Sequence, residues 1–362
     1  MRASYESAFE VAAQLRETKS GLWPGLICHL PKPLLVIPMV VQWLWLALCY
    51  RSLSLPSAAD PSITIGGLAG ESKSAYFDQV GPALQRHLAR TAAITAGITA
   101  PADARAALKR LELSFPLIAK PDIGWCGFGV RRIDDAVDLD SYIAAFPSGE
   151  TLLLQEYLDI PGEAGIFYVR WPDQHEGRLL SLTVREPPQI VGDGVSTVRS
   201  LIARDARLHD RRDLYENLDR TPRAGETVTL ATVWSHRMGG RYRDLTSEIT
   251  PTLQATFDAI ASSMPNLHVA RFDVRFASLS GLAAGQDFKI IEINGAGSEA
   301  IEFFDPHVPF FTAYRGILAK QAMVFEIADQ NRRRGFAPCG WRALAAGFRH
   351  QATLLSLYPT SN

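Results

Sequence analysis

The chain has 362 residues, 47% of them hydrophobic, and 37 Lys and Arg nearly balance 38 Asp and Glu for a net charge of −1. That length supports two or three domains, and the near-neutral charge excludes a protein held to nucleic acid by overall basicity. Four cysteines (Cys28, Cys49, Cys126 and Cys339) lie far apart with no CxxC pair, which argues against a zinc site or a disulfide framework and fits a reducing cytoplasm.

In chain order, the first twenty residues mix charged and polar positions and do not read as a signal peptide. Residues 1–60 are predicted to form a helical and apolar extension, with an amphipathic helix over Tyr5–Lys19. The apolar run Leu34–Tyr50, flanked by Lys32 and Arg51 and interrupted by Pro38, is shorter than the roughly 20 apolar residues of a bilayer span. It reads as a helix docked on the protein or as an interfacial helix, whose Trp43 and Trp45 would suit a headgroup boundary.

Residues 61–115 read as a strand at Ile63–Ile65, a Gly-rich turn over Gly66–Gly70, and two helices, Tyr76–Ala96 and Ala102–Leu113. Strands are predicted over Phe115–Lys120, Leu152–Tyr157, Ala164–Trp171, Arg178–Glu186 and Thr227–Thr232. The helix Thr197–Arg207 lies between the last two, and the helix Thr250–Met264 precedes a strand at Val269–Phe276. The helix His307–Asp329 is followed by a basic tail, 331–362, which opens on Arg332-Arg333-Arg334 and reads as a solvated end or as a segment for anionic lipid.

Three groups of residues carry chemistry. The strand Val269–Phe276 and the following Phe288-Lys-Ile-Ile-Glu-Ile-Asn294 bring Asp273, Glu292 and Asn294 to one end, and period-two alternation puts Glu292 and Asn294 on one face. Hard oxygen ligands on a rigid face suit Mg²⁺ held against a nucleotide triphosphate. Lys120 closes an apolar strand and leads into Pro121-Asp-Ile-Gly124-Trp-Cys-Gly127-Phe-Gly129, a flexible loop whose backbone N–H groups can cradle phosphate. A hairpin with turn glycines accounts for the same residues, and GxxxxGK[ST] is absent. Gln155-Glu156-Tyr157-Leu158 ends a buried strand before a hinge, which supplies an acceptor for an adenine amine and backbone groups for its ring. Glu163, just beyond, could bind ribose hydroxyls.

The ordered series Lys120, Gly-rich loop, Gln155–Leu158, Glu163, Asp273 and Glu292-Ile-Asn294 resembles the ATP-grasp superfamily, in its D-alanine–D-alanine ligase and cyanophycin synthetase branch. The likeness to cyanophycin synthetase is local: Arg185-Glu-Pro-Pro-Gln-Ile-Val-Gly192-Asp-Gly194-Val-Ser-Thr and Gly239-Gly240-Arg-Tyr-Arg-Asp-Leu-Thr. Together the matches cover about Gln85–Phe304. The resemblance implies an α+β fold of two subdomains clasping ATP and two Mg²⁺ ions, with Mn²⁺ as a substitute. On that pattern the chain divides into the extension, a shortened pre-grasp region (61–115), an ATP-grasp domain (116–330) and the tail.

The resemblance also assigns roles. Lys120 would hold phosphate oxygens beside Gly127, with Arg86 standing where the family has a second lysine, a change of geometry at constant charge. Gln155 would meet the adenine amine and the backbones of Glu156 and Leu158 its ring edge. Asp273, Glu292 and Asn294 would hold the metal, and Arg271 would stabilise a tetrahedral oxyanion. Gly66-Gly67-Leu-Ala-Gly70-Glu71-Ser is similar to the turn and glutamate that open the D-alanine ligases, which makes Glu71 and Lys73 substrate-site candidates; a plain helix N-terminus explains Glu71 as well. After Asn294 the chain departs from the dipeptide ligases: Glu299 and Glu302, one turn apart if helical, would repel a carboxylate, so the acceptor would be a cation or an amine without one. The implied activity joins a small-molecule carboxylate to an amine through an acyl phosphate. A phosphotransferase acting on a hydroxyl and a non-catalytic ATP-binding module remain alternatives. A cytoplasmic enzyme with no nucleic-acid partner is expected, with a homodimer and a peripheral membrane contact of 34–50 or the tail as alternatives.

Overall fold

The computed structural model describes residues 32–205 and 207–362, with the side chains of Lys32, Pro33 and Leu35 left out. The helix expected at Tyr5–Lys19 lies outside the described residues. Helix α1 is Lys32–Cys49 and α2 is Lys73–Gln79. Then come β1 (Thr91–Thr95), α3 (Ala100–Arg110), β2 (Leu117–Pro121), β3 (Arg131–Ile133), α4 (Ala136–Ala145) and β4 (Thr151–Glu156). Next are β5 (Gly162–Val169), β6 (Arg178–Glu186), β7 (Gln189–Val191), α5 (Val198–Ala203), β8 (Thr227–Thr229) and β9 (Arg241–Asp244). The chain continues through α6 (Pro251–Ser262), β10 (Val269–Phe276), α7 (Leu279–Ala283), β11 (Phe288–Asn294), α8 (Phe310–Arg333) and α9 (Trp341–Leu357).

The chain divides into two compact units. One holds the described residues up to Leu88, with Ile160–Val184 and Tyr242–His350; the other holds Ala89–Asp159, Arg185–Arg241 and Gln351–Asn362. The first is built on a five-stranded sheet in the order β11-β10-β5-β6-β9. Alternation along β10 sends Ala270, Phe272, Val274 and Phe276 to one face, where they pack with Ile166 and Tyr168 of β5 against Leu253, Phe257 and Ile260 of α6. Thr250 caps that helix through Leu253 N–H at 3.1 Å, and Pro251 fills the first helical position. On the opposite face, Phe167 and Val169 pack with α8 through Met323 and Phe325.

The second unit has a four-stranded sheet in the order β1-β4-β2-β3. Leu117 and Ala119 of β2, with Leu152 and Leu154 of β4, face Ala100, Ala104 and Ala107 of α3 and Leu139, Tyr142 and Ile143 of α4. Alternation therefore leaves Lys120 and Gln155 on the other face. A small two-stranded antiparallel sheet, β7 with β8, belongs to a separate cluster around Ile202, Tyr215 and Met238.

Two local readings differ from the sequence expectation. The predicted strand Ile63–Ile65 is instead a short 3₁₀ turn, Thr64–Gly67, with Ile65 and Gly66 at positive φ. The predicted helix Tyr76–Ala96 is three elements: α2, the 3₁₀ turn Pro82–His87, and β1. Pro82 cannot donate into a helical ladder and disfavours helix at the residue before it, so α2 stops at Gln79. Thr91–Thr95 then gains more by pairing with β4 along its whole length. The other predicted strands appear within a few residues of the expected ends, and α3, α6 and α8 replace the predicted helices with small shifts. Among the described residues no helix is long and apolar enough to cross a membrane.

Candidate active site

The charged face of the first unit follows from the pairing of β10. Arg271 lies opposite Phe167 and Asn294, Asp273 opposite Gly165 and Glu292, and Arg275 opposite Glu163 and Lys289. Directly opposed residues share a face, as do residues two apart on a strand. The register of β11 shifts between Asp273 and Val274, which places Lys289 opposite Arg275 while Glu292 stays opposite Asp273. Strand pairing thus gathers Glu163, Arg271, Asp273, Arg275, Lys289, Glu292 and Asn294 on one surface.

Arg271 grips Asp273 with two parallel bonds, Nε to Oδ1 at 2.8 Å and Nη2 to Oδ2 at 3.1 Å, and Asn294 Nδ2 donates to the same Oδ2 at 3.3 Å. The pair is nearly dry, with side-chain exposures of 13% and 2%. Space for it comes from Gly165, where a Cβ would stand 3.2 Å from Arg271 Cδ and 2.6 Å from Ile301 Cδ1. Glu292 pairs with Lys73 at 3.4 Å, and Glu163 with Arg275 at 3.2 Å.

Glu71 is joined to this surface by its own contacts. Its Oε2 accepts from Tyr76 Oη at 2.5 Å and from Gly295 N–H at 3.3 Å. Desolvation pushes its carboxyl up to about 7, against the lowering by Tyr76 and Lys73. Gly67 and Gly295 permit this approach: a Cβ on Gly67 would lie 2.8 Å from Gly295 Cα. The segment after Asn294 is fixed on several sides. Gly297 N–H donates to Gly67 O at 2.7 Å, Arg271 Nη1 to Glu299 O at 3.1 Å, and Lys320 Nζ to Ala296 O at 3.0 Å and also to Ser298 O. Burial, aided by the Arg271 cation, lowers the Lys320 ammonium to about 8.

That segment is a turn followed by the 3₁₀ stretch Ile301–Phe304 rather than an α-helix. Glu299 is exposed while Glu302 is fully buried, so the two carboxylates do not share a helical face. Only Glu299 is placed to meet a solute.

The other set of site residues belongs to the second unit. Lys120 Nζ donates to Gln155 Oε1 at 3.0 Å, and Gln155 Nε2 to Thr91 Oγ1 at 2.8 Å. Glu156 is tied to Arg90 by two bonds of 2.8 Å, from Arg90 N–H and from Nε, and its own N–H donates to Arg90 O at 3.0 Å. Leu158 follows in irregular backbone, partly buried. Beside them, a cavity of about 400 Å³ is lined by Arg90, Phe115, Arg132, Glu156, Tyr157 and Asp159. In the Gly loop, Gly127 has φ +74° and a Cβ there would lie 2.5 Å from Val233 Cγ1. Arg86 is exposed in the turn Pro82–His87, its Nη1 donating to Ala83 O at 2.7 Å. It belongs to the first unit, with Lys289, which donates to its carbonyl at 2.6 Å.

The structure therefore brings together Glu71, Lys73, Arg271, Asp273, Glu292 and Asn294 in one unit, and Lys120, Gln155, Glu156, Leu158 and Gly127 in the other. Sequence reasoning missed Arg90, Arg275 and Lys320. The first two had a signal, an arginine facing a site glutamate across a strand pair, but it is readable only once the register is known.

Among the described residues there is no cluster of three His, Cys, Asp or Glu suited to a metal. Mg²⁺ usually takes one or two carboxylates and fills its shell with water and substrate phosphate. Glu292 and Asp273 with the Asn294 amide oxygen fit that requirement, with Arg271 yielding part of its hold on Asp273.

No protein-family model matches the sequence, and no curated protein matches it. Solved structures are similar to it. A bifunctional glutathione synthetase from Pasteurella multocida is 17% identical over 66% of this chain and 34% of its own, with a TM-score of 0.34. The VanG D-Ala:D-Ser ligase from Enterococcus faecalis is 14% identical over 72% and 62%, at 0.40, and the D-cycloserine synthetase DcsG 14% over 71% and 70%, at 0.36. The chain thus spans about a third of the first and less than two thirds of the second. The fold is α+β with antiparallel sheets, and these neighbours are named as ligases or synthetases. The likeness is loose, and the site stands on its own residues.

Proposed function

We propose that the chain is an ATP-dependent carboxylate–amine ligase. The observation that carries the reading is the polar face of β10 and β11, where Asp273, Glu292, Asn294 and Arg271 converge beside Glu71 and Lys73. A substrate carboxylate takes the γ-phosphoryl group of ATP, giving an acyl phosphate and ADP. The amine then forms the C–N bond, the C–O bond to phosphate breaks, and the amine loses a proton. Mg²⁺ held by Asp273, Glu292 and Asn294 would neutralise phosphate charge.

Lys120, buried beside Gln155, supplies a fixed cation for the phosphate oxygens and the exposed Arg86 a second charge, so that positioning and electrostatics carry the first step. The Gly127 loop adds backbone donors. Gln155 and the backbones of Glu156 and Leu158 receive the adenine, and Glu163 the ribose. Arg271 faces the oxyanion of the second step. Glu71 and Lys73 bind the acid or amine end of a substrate. The exposed carboxylate of Glu299 favours an acceptor that carries positive charge and no neighbouring carboxylate; Glu299→Gln should raise the acceptor KM, and an unchanged KM removes this assignment.

The test is incubation of the purified protein with MgATP, hydroxylamine and fractionated small-molecule extract, read by mass spectrometry. A hydroxamate traps the acyl phosphate and identifies the acid. A phosphate ester without hydroxamate means transfer to a hydroxyl, and ATP binding without turnover means a binding module.

A further inference from the structure

We propose that Arg237, Tyr358, Ser361 and Asn362 are positioning residues that set the conformation of the loop after Lys120 for phosphate binding. The inference rests on the ligase reading for the identity of the ligand, but its geometry lies wholly within the second unit.

The loop runs from Asp122 to Val130, and its carbonyls are taken one after another. Tyr358 Oη donates to Ile123 O at 2.6 Å. Arg237 donates from Nε to Cys126 O and from Nη2 to Gly127 O, both at 3.1 Å. Ser361 Oγ donates to Gly127 O at 2.8 Å, and Asn362 N–H to Val130 O at 3.4 Å. Just beyond the loop, Arg132 N–H donates to Asn362 Oδ1 at 2.9 Å. Arg237 Nη2 also donates to Ser361 Oγ at 3.0 Å, so the arginine and the chain's last described residues form one clamp. The guanidinium lies 4.3 Å from the Phe128 ring centroid, and Tyr358 packs so close to Gly129 that a Cβ there would meet Tyr358 Cβ at 3.0 Å.

Every one of these hydrogen bonds to the loop falls on a carbonyl. In a planar trans peptide the C=O and the following N–H point in opposite directions. Holding Ile123 O and Cys126 O toward the clamp therefore turns the N–H groups of Gly124 and Gly127 away from it. Positive φ at Cys126 and Gly127 curls the backbone, the conformation in which successive N–H groups make an anion nest. Phe128 and Val130 donate back to Trp125 O and Gly127 O, which tightens the turn and concentrates the anion-facing role on the remaining amides. A glycine-rich loop left to itself would sample many such curls, and ordering it on ligand arrival would weaken binding. The clamp does that ordering beforehand.

The test uses the full chain with Ser361→Ala, Arg237→Gln and the conservative Ser361→Thr. Amide hydrogen exchange over 123–131 is read without nucleotide, and KM for MgATP, KM for the amine and kcat are read separately. The expected result is faster exchange confined to the loop, with the MgATP KM raised roughly three- to tenfold for the loss of one or two hydrogen bonds. The amine KM and kcat should stay near wild type, and Ser361→Thr should restore both readouts. Unchanged loop exchange in both Ser361→Ala and Arg237→Gln overturns the clamp, as does exchange that rises across the whole unit, which marks general packing. If the wild-type chain binds no ATP, the ligase reading fails, and the exchange result still decides whether the clamp orders the loop.

Discussion

Asp273 serves two interactions at once, and this separates it from Glu292 as a probe. Its carboxylate balances Arg271 in a nearly dry setting. Asp273→Asn would leave that guanidinium buried without its counter-charge, a loss that costs roughly 3–5 kcal/mol of stability in comparable sites. Glu292 is more exposed, at 26% of its side chain, and its partner, the buried Lys73, also has the Glu71 carboxylate as a counter-charge. Glu292→Gln is expected to lower kcat at least about a hundredfold with little change in Tm, whereas Asp273→Asn should lower both. Turnover near wild type in folded Glu292→Gln protein would remove this residue from the metal set.

Asp60 provides a second residue-scale test, on stability rather than activity. It is fully buried and accepts from His268 N–H at 2.7 Å and Val269 N–H at 3.0 Å, anchoring the start of β10. Desolvation raises its carboxyl to about 7. An unfolded chain would lose that proton near pH 4, so from about pH 4 to pH 7 the folded state holds more protons and stability falls as pH rises. His268, lowered to about 4 by burial, works in the opposite sense between pH 4 and its ordinary 6.5. Asp60→Asn isolates the first effect: stability of the variant relative to wild type should climb with pH, by up to about 1.4 kcal/mol per unit. A flat difference across that window in denaturant titrations would show that Asp60 titrates normally.

Helix α1 presents two unlike faces. Leu46 and Ala47 are buried, Trp43 meets Phe325 edge-on at 5.0 Å, and Gln42 donates to Leu318 O. The docked reading of the Leu34–Tyr50 run thus describes this inner face. The outer face carries Leu34, Ile37, Val41, Leu44, Trp45 and Leu48, with Leu48 79% exposed. Their three- and four-residue spacing makes one stripe. Substituting Leu44 and Leu48 by Glu should leave Tm within a degree or two, because neither packs inward. If this face meets lipid, the pair should also abolish cosedimentation with anionic vesicles; wild-type protein that stays in the supernatant would dispose of the contact. The neighbouring stretch shows the limit of periodicity. Tyr76–Ala96 has helical spacing of apolar residues, yet Pro82 breaks it and β4 recruits Thr91–Thr95 as an edge partner.

At the scale of the molecule, a ligand that binds the folded state raises its stability by mass action. MgATP at a hundred times its dissociation constant contributes about 2.7 kcal/mol, so Tm should rise measurably on its addition. Lys120→Met should remove most of that rise, since Lys120 is buried on the sheet beside Gln155 and the substitution removes its charge. A full shift in the variant would take Lys120 out of the nucleotide site.

The sequence by itself determined the strands β2, β4, β10 and β11, their alternation and the residue types that carry the proposed chemistry. Asp273, Glu292 and Asn294 were legible because period-two alternation is a local property of the chain. Lys120 and Gln155 were legible for the same reason, each at the end of an apolar run. Only the tertiary structure decided which residues answer them. The grip of Arg271 on Asp273, the pairing of Arg90 with Glu156, the pinning of Ala296 and Ser298 by Lys320 and the lacing of Ser361 onto Gly127 join residues far apart in the chain. Their formation depends on strand register and on the burial that makes each unpaired charge or carbonyl costly, and neither quantity can be read from neighbours in sequence.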